Sequence, residues 1–215
     1  MPSDFYGIEL EITNLFEGSI MDNHLIFTTE HRCFEQKLAF HTAPSLLGIK
    51  CASLFSVKKD ELDISASMEY FNSRAAVKGL KIRILCECKE RILLLVYSEI
   101  KLSQRLACPE CRDILRDNGY TDDMTTEECI ALLSERIRCQ ADFPHEIGIF
   151  LDYPVEDVVG FIANNGCNFK LCGYWKVYGD TEKAQRTFDN YNKCRRFLCG
   201  RLSEGEDICR ALKIS

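Results

Sequence analysis

Residues Leu80–Glu99 read LKIRILCECKERILLLVYSE. The first half alternates. Leu80, Ile82 and Ile84 share one face of an extended chain, with Lys81 and Arg83 between them. Lys89-Glu90 supplies a turn. Ile92–Tyr97 (ILLLVY) is apolar almost without a break, as a central strand of a covered sheet must be. The stretch predicts a hairpin, and the rest of the chain is read outward from it.

Upstream, Ile49–Val57 (IKCASLFSV) reads as a further strand. Residues 64–78 fit a helix with Met68, Phe71 and Ala75 inward, stopped by Gly79. An earlier helix is predicted from Thr29 or Glu30 to His41, with Phe34 and Leu38 on one side. Pro44 restarts it as a short turn, Ala43–Leu47. Residues 1–30 read as an N-terminal extension in which Ile8–Ile12 alternates as a short strand would.

Downstream lie mostly helices: Ile100–Leu106, a second from Pro109 to Asn118-Gly119, and a third behind Thr125-Thr126-Glu127-Glu128. That last sequence is a capping box, in which Thr125 and Glu128 satisfy each other's backbone N–H. Asn168–Tyr178 (NFKLCGYWKVY) reads as a strand with a bulge at Gly173. Asp180 caps a final long helix carrying Phe188, Tyr191, Cys194 and Leu198 at helical spacing. The expected fold is α+β: a three- or four-stranded mixed sheet covered by helices, helix-rich in its C-terminal half. Residues 31–215 form one domain.

The 215 residues are enough for a core without staples. Net charge is −6 with pI near 5.4, which argues against nucleic acid as the main partner, because phosphate binding needs a concentrated basic surface. Lys193, Arg195, Arg196 and Arg201 are the one local basic group. The start MPSDFYGIELEI has neither a basic leader region nor an apolar core segment, and no apolar run is long enough to span a bilayer. A soluble, cytoplasmic protein is expected, with no membrane partner.

The polar site is sought in Asp142–Gly166 (DFPHEIGIFLDYPVEDVVGFIANNG). Pro144 suits the first position of a helix, with Asp142 or Phe143 as its cap. His145 and Glu146 then fall in the first turn, where free N–H groups point outward and the dipole favours a carboxylate. Gly148 costs about 1 kcal/mol in a helix unless another backbone or a ligand comes close. Pro154 ends this helix and opens another, with Val155, Val158, Val159 and Ile162 as its apolar stripe. His145 and Glu146 have two readings. One is plain capping of the helix start. The other is a binding or proton-transfer site for a small ligand, cofactor or metal, with Trp175, Lys176 and Tyr178 as lining.

Thirteen cysteines are the unusual count. Without an export signal they are expected as reduced thiols, several of them acting as small hydrophobes. Cys108-Pro109-Glu110-Cys111 is a CxxC at a helix start, but the residues before it read as helix, not as the strand a thioredoxin-like site requires. With Cys86-Glu87-Cys88 it makes a weak candidate four-thiolate metal site. No HExxH, GxSxG, Walker or GxGxxG motif is present.

Ala39–Val57, Leu80–Glu99, Phe143–Gly166 and Cys172–Cys194 together resemble a family of small proteins from clostridia and related anaerobic bacteria, known as a domain of unknown function. The resemblance covers about residues 33–200. Its specific blocks are Pro144–Gly148 (PHEIG) and Trp175–Asp180 (WKVYGD). It does not include Cys108 and Cys111. It implies a cytoplasmic setting in an anaerobe and carries no activity or cofactor with it. Three functions are therefore expected: a small-ligand, cofactor or metal-binding accessory protein with its site at His145/Glu146; an enzyme using that pair for acid–base chemistry; or a thiol or metal-cluster protein using Cys86, Cys88, Cys108 and Cys111. The partner is an unidentified small ligand or protein.

Overall fold

The computed structural model describes residues 23–60, 64–88, 90–139 and 143–214, with side chains from residue 29. The sheet has three strands, β1 (Ala52–Lys58), β2 (Leu80–Glu87) and β3 (Arg91–Ser98), in the order β1-β3-β2. Both pairings are antiparallel, so the sheet contains no parallel pair. The continuous apolar run lies in the centre, as its composition requires. Leu94 and Val96 face one layer, Leu95 and Tyr97 the other, and all four are buried.

One layer is made by α1 (Asn23–Leu46), α2 (Ser65–Ala75), α8 (Thr181–Ser203) and α9 (Ile208–Ala211). The other is made by α3 (Glu99–Leu106), α4 (Pro109–Asp117), α5 (Thr126–Cys139), α6 (Ile147–Phe150) and α7 (Val155–Ala163). Several starts and stops fall where local chemistry puts them. Gly79 closes a 3-10 turn (Ala76–Lys78) in the left-handed conformation. Thr125 and Glu128 exchange N–H bonds of 2.7 and 3.3 Å. Asp180 accepts from the Lys183 N–H at 2.9 Å, so it caps α8. Phe188, Tyr191, Cys194 and Leu198 form the buried stripe of that helix.

Elsewhere tertiary packing changes the local reading. Helix α1 starts at Asn23, not at Thr29 or Glu30, and runs through Pro44. A proline removes one helical hydrogen bond, and here the loss falls in the last turn. Buried Ala39, Ala43 and Leu46 hold that turn against the sheet. Residues 168–178 are not one strand. They form a small hairpin, β4 (Leu171–Cys172) with β5 (Lys176–Val177), closed at Gly173 by an N–H bond to the Trp175 carbonyl. The short strand expected at Ile8–Ile12 and the Asp142 cap lie outside the described residues.

Glu35 of α1 is buried beneath α9. Its carboxylate accepts the Ile208 N–H at 3.1 Å and lies 3.3 Å from His31 Nε2. Burial lifts its pKa from 4.5 to about 7, with Asp207 adding to the rise while the Ile208 N–H and Arg32 oppose it. A carboxyl group lifted in this way favours the fold below pH 4.5, and that contribution is lost as pH rises toward 7. Glu35→Gln keeps an acceptor for Ile208 and removes the titration. Relative to wild type its stability should rise by roughly 2 kcal/mol between pH 4.5 and 7, read from urea midpoints across that range.

Candidate functional site

The chain turns sharply between α6 and α7. Asp152 adopts φ +60°, a left-handed conformation that costs a non-glycine residue about 1 kcal/mol or more. Four contacts hold it there. Asp152 Oδ2 accepts the Cys51 N–H at 3.2 Å. Asp152 Oδ1 lies 3.6 Å from Arg105 Nε. Arg105 donates to the Tyr153 carbonyl at 2.5 Å and to the Ile149 carbonyl at 3.4 Å. The elbow is thus fastened to the entry of β1 and the end of α3.

Lys50 lies behind the elbow and is only 6 % exposed. Its ammonium lies 5.1 Å from the Tyr153 ring centre and 5.7 Å from that of Tyr191, within cation–π reach of both. It makes no ion pair among the described residues. Burial pulls its pKa down to about 8, partly offset by Cys51 and Asp152. Trp175 stacks on Tyr153 with 5.1 Å between ring centres.

A cleft of about 300 Å³ opens on the other side of Asp152. Its walls carry Lys101, Gln104 and Arg105 from α3, Cys108 at the start of α4, Cys51 and Asp152. Lys101 is exposed and makes no ion pair among the described residues. The Cys51 thiol donates to the Phe150 carbonyl at 3.2 Å, and burial pushes its pKa up to about 12, so it stays protonated.

The residues singled out by sequence are divided between several surroundings. Pro144, His145 and Glu146 form a turn ahead of α6, which begins only at Ile147, so they are not its first helical turn. Glu146 is buried. Its Oε1 accepts from Arg136 Nε at 2.5 Å and from the Tyr120 hydroxyl at 3.3 Å. His145 is exposed, and its ring meets the edge of Phe161. Lys176 reaches the same ring, its ammonium 5.7 Å from the centre. Tyr178 packs over Gly160 and donates to the Cys167 carbonyl at 2.9 Å. His145, Lys176 and Tyr178 therefore gather around α7. Trp175 also reaches α7, at Asp157, whereas Glu146 turns to Arg136 and Tyr120.

Gly148 is explained by packing. A Cβ there would come within 2.7 Å of Val158 in α7. The apolar stripe of α7 is only half used: Val158 is buried, whereas Val159 and Ile162 are exposed. The helix instead buries Asp157. One carboxylate oxygen accepts the N–H groups of Tyr178 and Gly179 at 2.7 and 2.8 Å, and the other accepts Trp175 Nε1 at 2.7 Å.

The model of a family of proteins of unknown function, DUF3793, matches residues 38–212. The chain belongs to that family. No curated protein and no solved structure matches it. The DUF3793 match spans the elbow, Lys50, the cleft and Asp157, and it stops short of His31 and Glu35. Among the described residues no three His, Cys, Asp or Glu side chains gather to hold a metal, so Cys86, Cys88, Cys108 and Cys111 do not form the four-thiolate site. No helix of the described residues is long and apolar enough to cross a membrane.

Sequence reasoning missed Lys50, Arg105, Asp152 and Asp157. Two of them stand beside residues the sequence places inward: Lys50 at the start of a strand-like run, and Asp157 next to Val158 of the apolar stripe of α7. Asp157→Ala leaves three donors without their acceptor, two of them backbone. A loss on the order of 3 kcal/mol is expected, read as a lower urea midpoint together with a red shift in fluorescence from Trp175, the only tryptophan.

Proposed function

We propose that this DUF3793 protein is a small-ligand-binding accessory protein and that its ligand is anionic, held in the cleft beside the elbow. The cleft carries the reading. Lys101 and Arg105 face a single carboxylate, Asp152, and the Lys50 ammonium stands directly behind it. That is an excess of positive charge inside a chain of net charge −6, and a cleft of one sign concentrates ligands of the other. Arg105 is already committed to the Ile149 and Tyr153 carbonyls, so Lys101 is the cation left to meet the ligand.

A second reading keeps the site where the sequence placed it. His145 and Lys176 both lie on the Phe161 ring, which supports a ligand contact on that face. The acid–base reading loses Glu146, whose carboxylate is paired with Arg136. The setting we propose is a reducing cytoplasm such as that of an anaerobic bacterium. All thirteen cysteines being free thiols supports it.

Thermal shift and calorimetry against inorganic phosphate, short mono- and dicarboxylates and a nucleoside monophosphate test the proposal. At least one should raise the melting temperature of the wild type. Lys101→Glu should weaken that binding about tenfold or more, the equivalent of one charged contact, while His145→Ala leaves it unchanged. No shift with any compound, or equal binding by Lys101→Glu, would overturn it. Loss with His145→Ala alone would move the site to the Phe161 face.

A further inference from the structure

We propose that Cys86 and Cys88 form a dithiol site that exchanges with low-molecular-weight disulfides and closes to an intramolecular disulfide. The inference is independent of the ligand cleft. The two sulfurs are 3.6 Å apart at the end of the β2–β3 hairpin. Their placement is set by the backbone. Along β2, Ile82 pairs with Val96 and Ile84 with Leu94, but Cys86 pairs with Leu93, so Leu85 is an extra residue in the ladder. That bulge turns Cys86 from the Ile84 face of the sheet to the Leu93 face. The Cys88 N–H then closes the strand end on the Arg91 carbonyl at 2.8 Å.

The two thiols differ in access. Cys88 is exposed, whereas Cys86 is only 8 % exposed. Burial and the neighbouring sulfur raise the pKa of Cys86, with Arg138 opposing. Cys88 is therefore the entering nucleophile and Cys86 the resolving one. The thiols of Cys108 and Cys111 also meet, but Cys111 is fully buried and its pKa is raised to about 11, so its sulfur is less accessible than that of Cys86.

The Cys88 thiolate attacks one sulfur of a disulfide RSSR, forming a mixed disulfide and releasing RS⁻. Cys86 gives up its proton and attacks Cys88 Sγ. The bond to the remaining RS group breaks, and RS⁻ leaves and takes a proton. Two protein thiols are oxidised to one disulfide, and RSSR is reduced to two RSH.

The full chain, reduced and freed of reductant, is exposed to 2-hydroxyethyl disulfide, quenched in acid, alkylated with N-ethylmaleimide and digested with trypsin. Cleavage after Arg83 and Lys89 places both cysteines in one peptide, ILCECK. In the wild type this peptide should appear lighter by two hydrogens, with neither maleimide nor mercaptoethanol attached. In Cys86→Ser the mercaptoethanol adduct on Cys88 should persist about tenfold longer or more than in the wild type. Cys88→Ser, altered at an exposed position, should leave Cys86 free of mercaptoethanol and carrying maleimide. A wild-type peptide that keeps a stable adduct on Cys88, or carries two maleimides, would overturn the proposal. That wild-type result decides the matter even if Cys86→Ser does not fold.

Discussion

Three N–H groups converge on the Asp157 carboxylate, and much of the second layer hangs on them. A buried carboxylate is tolerated only when its lone pairs are filled. Here two backbone amides and the Trp175 indole fill them. Together they fasten the small hairpin to α7. Trp175, held in place, stacks on Tyr153, and Tyr153 forms one wall of the Lys50 box. The PHEIG and WKVYGD blocks are therefore two parts of one packing unit around α7. The first supplies Gly148, against which Val158 sits. The second supplies the donors for Asp157 and the cap of α8. Both blocks thus have a structural role that requires no ligand.

The elements that could be read locally are those that local chemistry determines. The alternation of Leu80–Ile84 and the apolar run of β3 describe which faces are buried, and a sheet covered on both sides must look that way. Capping needs only neighbours three residues apart, so the Thr125–Glu128 pair and Asp180 were legible. Local rules penalise Pro44 inside a helix. The penalty is one bond in a final turn, and burial of Ala43 and Leu46 outweighs it. The hairpin at 168–178 has a strand's composition throughout. Its turn at Gly173 is set by Phe188 of α8 packed against that glycine, a contact with no local trace.

The candidate site was harder to read for the same reason. Glu146 stands out in the sequence only as a carboxylate near a helix start, and its partners Arg136 and Tyr120 stand on other elements. No pattern in Phe143–Gly148 reveals that the carboxylate is already used. The cleft draws on three separated segments, around residues 50, 105 and 152. Each looks ordinary alone. Arg105 suits the last turn of α3 for dipole reasons, and only the fold aims it at the elbow carbonyls.

The positive cleft and the acidic chain are compatible because screening is local. In physiological salt, exposed charges more than about 8 Å apart barely interact. Surface carboxylates far from the cleft therefore do little to it, whereas buried Lys50 is screened far less. With a pKa of about 8 it remains largely charged at neutral pH. Burial also keeps the hydroxyls of Tyr153 and Tyr191 protonated, so the rings facing the ammonium carry no negative charge of their own. The Lys50 charge is thus softened by two π-faces and answered by no carboxylate in ion-pair contact. Asp152, the nearest anion, is shared with Arg105 and the Cys51 N–H. A field of that kind extends past the elbow into the cleft, where Lys101 adds to it. The strained turn at Asp152 is what lets one short segment form a wall of both the lysine box and the cleft.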